Sequence, residues 1–185
     1  MPRTPIPIGA SISLWCISSL SLVVSMASFS GTVGHSRGAG SNGSASRGPV
    51  APTLALFAGN LDGAGHLDGL GVAARFGKPE SMATDIGGNL YVADVVNHTI
   101  RKITPEGVVT TFAGTVAAPG SADGMGTAAS FDKPYGIAVD IAGNVYVADH
   151  NNHTIRKITP AGVVSTFAGA VGIKGDEDGT GASAR

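Results

Sequence analysis

From about residue 54 onward, apolar side chains come in short runs of five or six, broken by Gly, Asn, Asp and Pro. Within 131–169 the runs are 136–140 (GIAVD), 144–148 (NVYVA), 154–159 (TIRKIT) and 162–167 (GVVSTF). Runs of this length, rich in Val, Ile and Thr and bounded by turn-forming residues, predict four short strands in an up-and-down antiparallel sheet. The second run is apolar on both faces, with Val145 and Val147 on one side and Tyr146 and Ala148 on the other. A strand buried on both faces needs packing above and below its sheet, and blades stacked around an axis supply it.

The pattern repeats. Phe57-Ala58-Gly59 recurs at Phe112-Ala113-Gly114 and at Phe167-Ala168-Gly169, an offset of 55 residues each time, and the first two units align without gaps with 34 of 55 positions identical. A fixed period of this length marks a repeat architecture. The third unit runs from Phe167 to Arg185 and stops one residue before the position of Phe76 and Phe131.

The segments NLYVADVVNHTIRKITP (89–105) and NVYVADHNNHTIRKITP (144–160), each preceded by Lys-Pro and a short strand, resemble the NHL repeat of β-propellers. The resemblance covers about 54–185. It implies an all-β fold of propeller blades, each of four antiparallel strands, in a family whose rings typically have about six blades. Only two blades, about 76–114 and 131–169, are complete, with one extra strand near 54–57 before them: an incomplete ring. Its remaining blades are expected from missing C-terminal sequence rather than from other chains. In the first unit, Glu80-Ser81-Met82 stands where the second has Tyr135-Gly136-Ile137. Without the Gly, the first strand of that blade is expected to be less regular.

Composition agrees with short strands and tight turns: 43% hydrophobic, only 14% charged, with 28 Gly. A net charge of -1 gives no electrostatic case for nucleic acid. The single cysteine, Cys16, excludes an intramolecular disulfide and a cysteine-type zinc site. Residues 1–29 carry Arg3, an apolar stretch from Ile12 to Val24, and Ser25-Met26-Ala27 ahead of a possible cut. This is the layout of a secretory signal peptide, with an uncleaved membrane anchor as the alternative. Residues 30–53, rich in Gly, Ser and Ala, are expected to be a linker. The protein is therefore expected to be secreted or otherwise extracytoplasmic.

Asp94, Asn97, Asp149 and Asn152 flank the turn between the second and third strands. Their recurrence points to turn-holding rather than to a singular catalytic set. Arg101 and Arg156, each followed by Lys, are expected to be solvated stems on an outer strand, or a stripe that meets an acidic partner. His150 and Asn151 differ from Val95 and Val96 of the first copy, and unique loop residues are the better specificity candidates. The candidate binding residues are His150, Asn151, His153, Arg156, His98 and Arg101. Asp68, Asp123 and Asp178 are assigned to surface loops. No catalytic residue, cofactor or metal is expected, because no nucleophile elbow, HExxH or phosphate loop occurs. The sequence favours an exported, non-enzymatic binding or interaction scaffold whose ligand is a protein, a glycan or a small molecule. The alternative is a fragment of a six-bladed enzyme of the lactonase or amidating-lyase type, with a metal at the central channel.

Overall fold

The computed structural model describes residues 55–185, together with the backbones of two short strands further upstream. Those strands are β1 (Leu14–Ile17) and β2 (Ser21–Val24). Apart from them, the expected signal segment with its cut site and the expected 30–53 linker lie outside the described residues.

Two five-stranded antiparallel sheets form the body. In chain order the elements are β3 (Leu56–Ala58), β4 (Gly69–Leu70), β5 (Pro79–Thr84), β6 (Leu90–Asp94), β7 (Thr99–Ile103), β8 (Val108–Ala113), β9 (Gly124–Met125), β10 (Pro134–Val139), β11 (Val145–Asp149), β12 (Thr154–Ile158) and β13 (Val163–Ala168). The first blade has the order β4-β8-β7-β6-β5 and the second β10-β11-β12-β13-β9. Each blade thus holds the four expected strands plus a two-residue fifth strand, β4 or β9, contributed by the connection that enters the blade.

The extra strand is β3. It pairs with β2, and β2 with β1, giving a third sheet of order β1-β2-β3. β3 stands where β8 and β13 stand in the complete units, and its pairing with β2 carries a register shift between Leu22 and Val23. The same shift occurs at Ile100/Arg101 and at Ile155/Arg156.

The expected irregularity of the first blade's inner strand is not peculiar to that blade. β5 departs from register between Pro79 and Ser81, and β10 does so between Pro134 and Ile137. β5, which lacks the Gly-Ile step, keeps a longer unbroken ladder, Ser81 to Thr84, than β10, which has it. A Met or Ser side chain is as compatible with a pleated ladder as Gly, so Gly136 is not what sets the strand.

The core lies between sheets. Tyr91, Ala93, Ile100 and Ala113 of the first blade pack against Phe131, Val145, Val147, Ile158 and Val164 of the second. The other face of the first blade, with Leu90, Val92, Ile103 and Val109, is closed by Ala58, Ala74 and Phe76. The first blade is therefore covered on both sides, and all five residues of β6 are buried. The second blade is covered on one side only. Val145 and Val147 are buried, while Tyr146 and Ala148 are half-exposed.

Two features common to both units show how local chemistry sets the turns. Asp85 accepts from the amides of Gly87 and Asn89 and from the Asn89 side chain, closing the β5–β6 turn. Asp140 and Asn144 do the same in the second unit. The Tyr91 and Tyr146 hydroxyls also donate to these carboxylates. After β6 and β11 the chain turns through a left-handed residue, His98 (φ 57°) or His153 (φ 55°). Histidine is among the residues that tolerate this conformation best after Gly and Asn.

Candidate functional site

Arg101 and Arg156 are not surface stems. Both are fully buried. The Arg156 guanidinium donates to the carbonyls of Ser130 (3.0 Å) and Ala122 (3.0 Å), and to the carboxylates of Asp123 (2.6 Å) and Asp149 (3.1 Å). It lies over the Phe131 ring, 5.2 Å from the centroid. Arg101 repeats this with Arg75 O, Leu67 O, Asp68, Asp94 and the Phe76 ring. A buried guanidinium is tolerable only when its donors are met by fixed acceptors, and these forks meet them with entry-loop carbonyls. The two Nε atoms have no hydrogen-bond partner among the described residues.

Asp149 and Asn152 belong to the same brace. Asp149 accepts from the Asp132 amide and from Asn152 Nδ2, which also donates to Gly120 O. Asp94 and Asn97 hold Gly77, Lys78 and Gly65 in the first unit. Burial pushes the Asp149 carboxyl above the usual carboxylate range, against the opposing pull of Asn152, the Asp132 amide and Arg156. The turn-holding role read from recurrence is therefore seen, extended to the whole entry loop. Asp68 and Asp123, assigned to surface loops, are its outer anchors, 33 residues ahead of their arginines. That constant Asp-to-Arg separation in both copies is the signal that could have found the brace.

His98 sits in the joint between the blades. Its Nδ1 accepts the Lys133 amide at 3.1 Å and lies 3.4 Å from the Asp132 carboxylate. His153, its counterpart, is exposed. His150 is exposed too, its ring edge-on to Tyr135 at 5.2 Å, whereas its counterpart Val95 is buried. Asn151 is exposed and holds Asp132 through its side chain and amide. The six sequence-based candidates thus divide. Arg101 and Arg156 are internal braces, His98 is a latch between blades, Asn151 holds the Asp132 carboxylate that faces His98, and His150 and His153 line the uncovered side of the second blade.

That side carries a cleft of about 310 Å³ lined by Ala148, Asp149, His150, His153, Ile155 and Ala168, among others. A shallower depression runs beside it along Ile137, Tyr146 and Ile155. Phe167 packs edge-on to Tyr146 and is 54% exposed, so the face is apolar as well as open. Among the described residues, no three His, Cys, Asp or Glu side chains are grouped to hold a metal ion.

The NHL-repeat family model matches residues 131–158, which span β10 to β12 and the histidine turn between them. The second blade is an NHL repeat. The chain is 39% identical over 100 residues to NHL repeat-containing protein 2 of Bos taurus and 37% identical over 103 residues to the chloroplastic protein SUPPRESSOR OF QUENCHING 1 of Arabidopsis thaliana. These matches take in 52% and 55% of this chain, but only 14% and 10% of those relatives. Among solved structures, a Bacteroides thetaiotaomicron protein of unknown function aligns over 72% of this chain and 32% of its own, with a TM-score of 0.58 at 26% identity. An auxiliary nutrient binding protein from the same organism aligns over 62% of this chain and 29% of its own, with a TM-score of 0.53 at 29% identity. In this NHL-repeat chain the matched segment is the second blade, the one whose outer face is open.

Proposed function

We propose that this chain is an exported, non-enzymatic β-propeller segment that binds a protein, glycan or small ligand on the open side of its second blade. The observation that carries the reading is the division of polar residues. The Asp, Asn and Arg side chains common to both blades are spent on bracing, while His150, found in one copy only, lines an apolar cleft together with His153. Loop residues unique to one copy, on a rigid repeat scaffold, are where recognition concentrates. The likeness to an auxiliary nutrient binding protein agrees with a binding role. The apolar segment 12–24 followed by Ser-Met-Ala argues for export.

The test uses the full chain expressed with its own N-terminus. It is recovered outside the cytoplasm, then screened by thermal shift against peptides, glycans and nutrient-type small molecules, with lactone hydrolysis followed in parallel with and without added divalent metal. The expected result is a ligand-induced rise in melting temperature that His150→Ala with Asn151→Ala removes, and no turnover above buffer. Metal-stimulated turnover would instead assign the chain to the enzyme class.

A further inference from the structure

The two blades lead into their inner strands through matching segments, Phe76-Gly77-Lys78-Pro79 and Phe131-Asp132-Lys133-Pro134, yet the lysine amide is spent differently in each. In the first blade the Gly77 and Lys78 amides both donate to Asp94 Oδ1, Lys78 at 2.8 Å. In the second, the Asp132 amide donates to Asp149 Oδ1 at 2.7 Å, while the Lys133 amide turns away to His98 Nδ1 at 3.1 Å. Among the described residues, Asp149 Oδ1 thus holds one amide where Asp94 Oδ1 holds two. Lys133 is left-handed (φ 52°), a strained conformation for a lysine, and Lys78 is not. One period before His98 the chain has Gly43, which carries no side-chain acceptor. The first blade's entry therefore shows where this amide goes when no histidine competes for it.

The bond to His98 depends on protonation. An amide can only donate, so Nδ1 must be bare and the imidazole neutral. The Asp132 carboxylate stands 3.4 Å from the same nitrogen, itself held by Asn151 Nδ2 at 3.1 Å. A proton on Nδ1 removes the first contact and turns the second into an ion pair. The ionisable groups around the imidazole are Asp132 and Lys133 of the second blade's entry, Asp149 and His150 of the turn behind it, Asp94 in its own turn, and Lys78, whose amide Asp94 holds. Lys133 O accepts the His150 amide at 3.3 Å, and the His150 ring lies edge-on to Tyr135, so this turn is tied to the same lysine.

We propose that the joint between the two blades is a pH-sensitive switch, in which protonation of His98 passes the Lys133 amide to Asp149 and resets the turn that carries His150. Histidine gains its charge as pH falls from about 8 to 5. Over that range Nδ1–H of His98 pairs with Asp132, the Lys133 amide joins that of Asp132 on Asp149 Oδ1, and Lys133 leaves the left-handed region. The two arrangements of one segment already stand side by side in the molecule, which is what a two-state element requires. The device goes beyond the binding reading and stands whether or not that turn holds a ligand.

The test is NMR on the full 185-residue chain labelled with 15N, at about pH 8 and pH 5, the two ends of the histidine range. A scalar coupling across the N–H···N bond between Lys133 and His98 is expected at the upper pH and is lost at the lower, with the Lys133 amide shift following the His98 imidazole. His98→Asn tolerates the left-handed backbone and does not titrate, so the Lys133 amide should lose its pH dependence. His150→Ala removes the other imidazole beside the entry. There the Lys133 transition should persist, and the amide of residue 150 should move with it. Circular dichroism and melting temperature unchanged at the upper pH certify that both variants fold; should His98→Asn not fold, the coupling and the His150→Ala titration still decide. No coupling at the upper pH, a coupling that survives at the lower, a Lys133 titration unaltered by His98→Asn, or a motionless amide at residue 150 overturns the inference.

Discussion

Arg156 looks, from sequence, like one more cation on a solvent-facing strand, and it is the largest fully buried side chain of its blade. Its guanidinium joins Asp123, Asp149, two entry-loop carbonyls and the Phe131 ring. Removing one partner of a buried charge cluster leaves carboxylates unpaired in a poorly solvated place. Arg156→Ala should therefore lower unfolding free energy by about 3 kcal/mol in urea melts. The neighbouring Lys157, over the Tyr146 ring at 5.7 Å and partly exposed, should change it by less than about 0.5 kcal/mol. Equal effects would mean that burial does not separate the two cations. Alternation on a strand would have suggested that one of each Arg-Lys pair points inward. It could not say that a charged residue would be the inward one, because three of the four acceptors that make this tolerable lie 26 to 34 residues away in the chain.

At the scale of the strand, β6 and β11 differ at one core position only, Leu90 against Val145, yet they live in different surroundings. Tyr91 is 3% exposed, edge-on to Phe112, and burial pushes its hydroxyl up to about 12. Tyr146 makes the matching contact with Phe167 on the open side. Tyr91→Ala should cost about 3 kcal/mol, as for a large buried aromatic, and Tyr146→Ala about half of that, since part of its ring is already in water. Equal losses in urea melts would argue that the second blade's outer side is covered in solution. The sign of the pH effect follows from the raised hydroxyl. The neutral phenol is favoured in the folded state, so this contribution is full below about pH 10 and fades as pH climbs towards 12. The alternation of β11 told that both faces are apolar. Whether each is buried depends on the neighbouring blade, which the residues of the strand itself do not encode.

For the whole molecule, the repeat and its 55-residue period were legible from the first, because blade-building residues recur by necessity. The buried arginine brace was not, because most of its acceptors are scattered over the entry loop, far from the arginine in sequence. Stacked units draw stability from their neighbours in a nearly additive way. The first blade has cover on both sides, from β3 and its entry loop on one and from the second blade on the other. The second has cover on one. Export with cleavage after Ala27 would also remove β1 and β2, leaving β3 as the last strand on the far side. Native-state hydrogen exchange should therefore grade the sheets. Amides of β6 and β7 should exchange only through global unfolding, while those of β12 and β13 should open earlier by about 1–2 kcal/mol, the worth of one missing apolar neighbour. Uniform protection across both blades would mean that the exposed side does not weaken its blade, and the gradient argued from burial would be wrong.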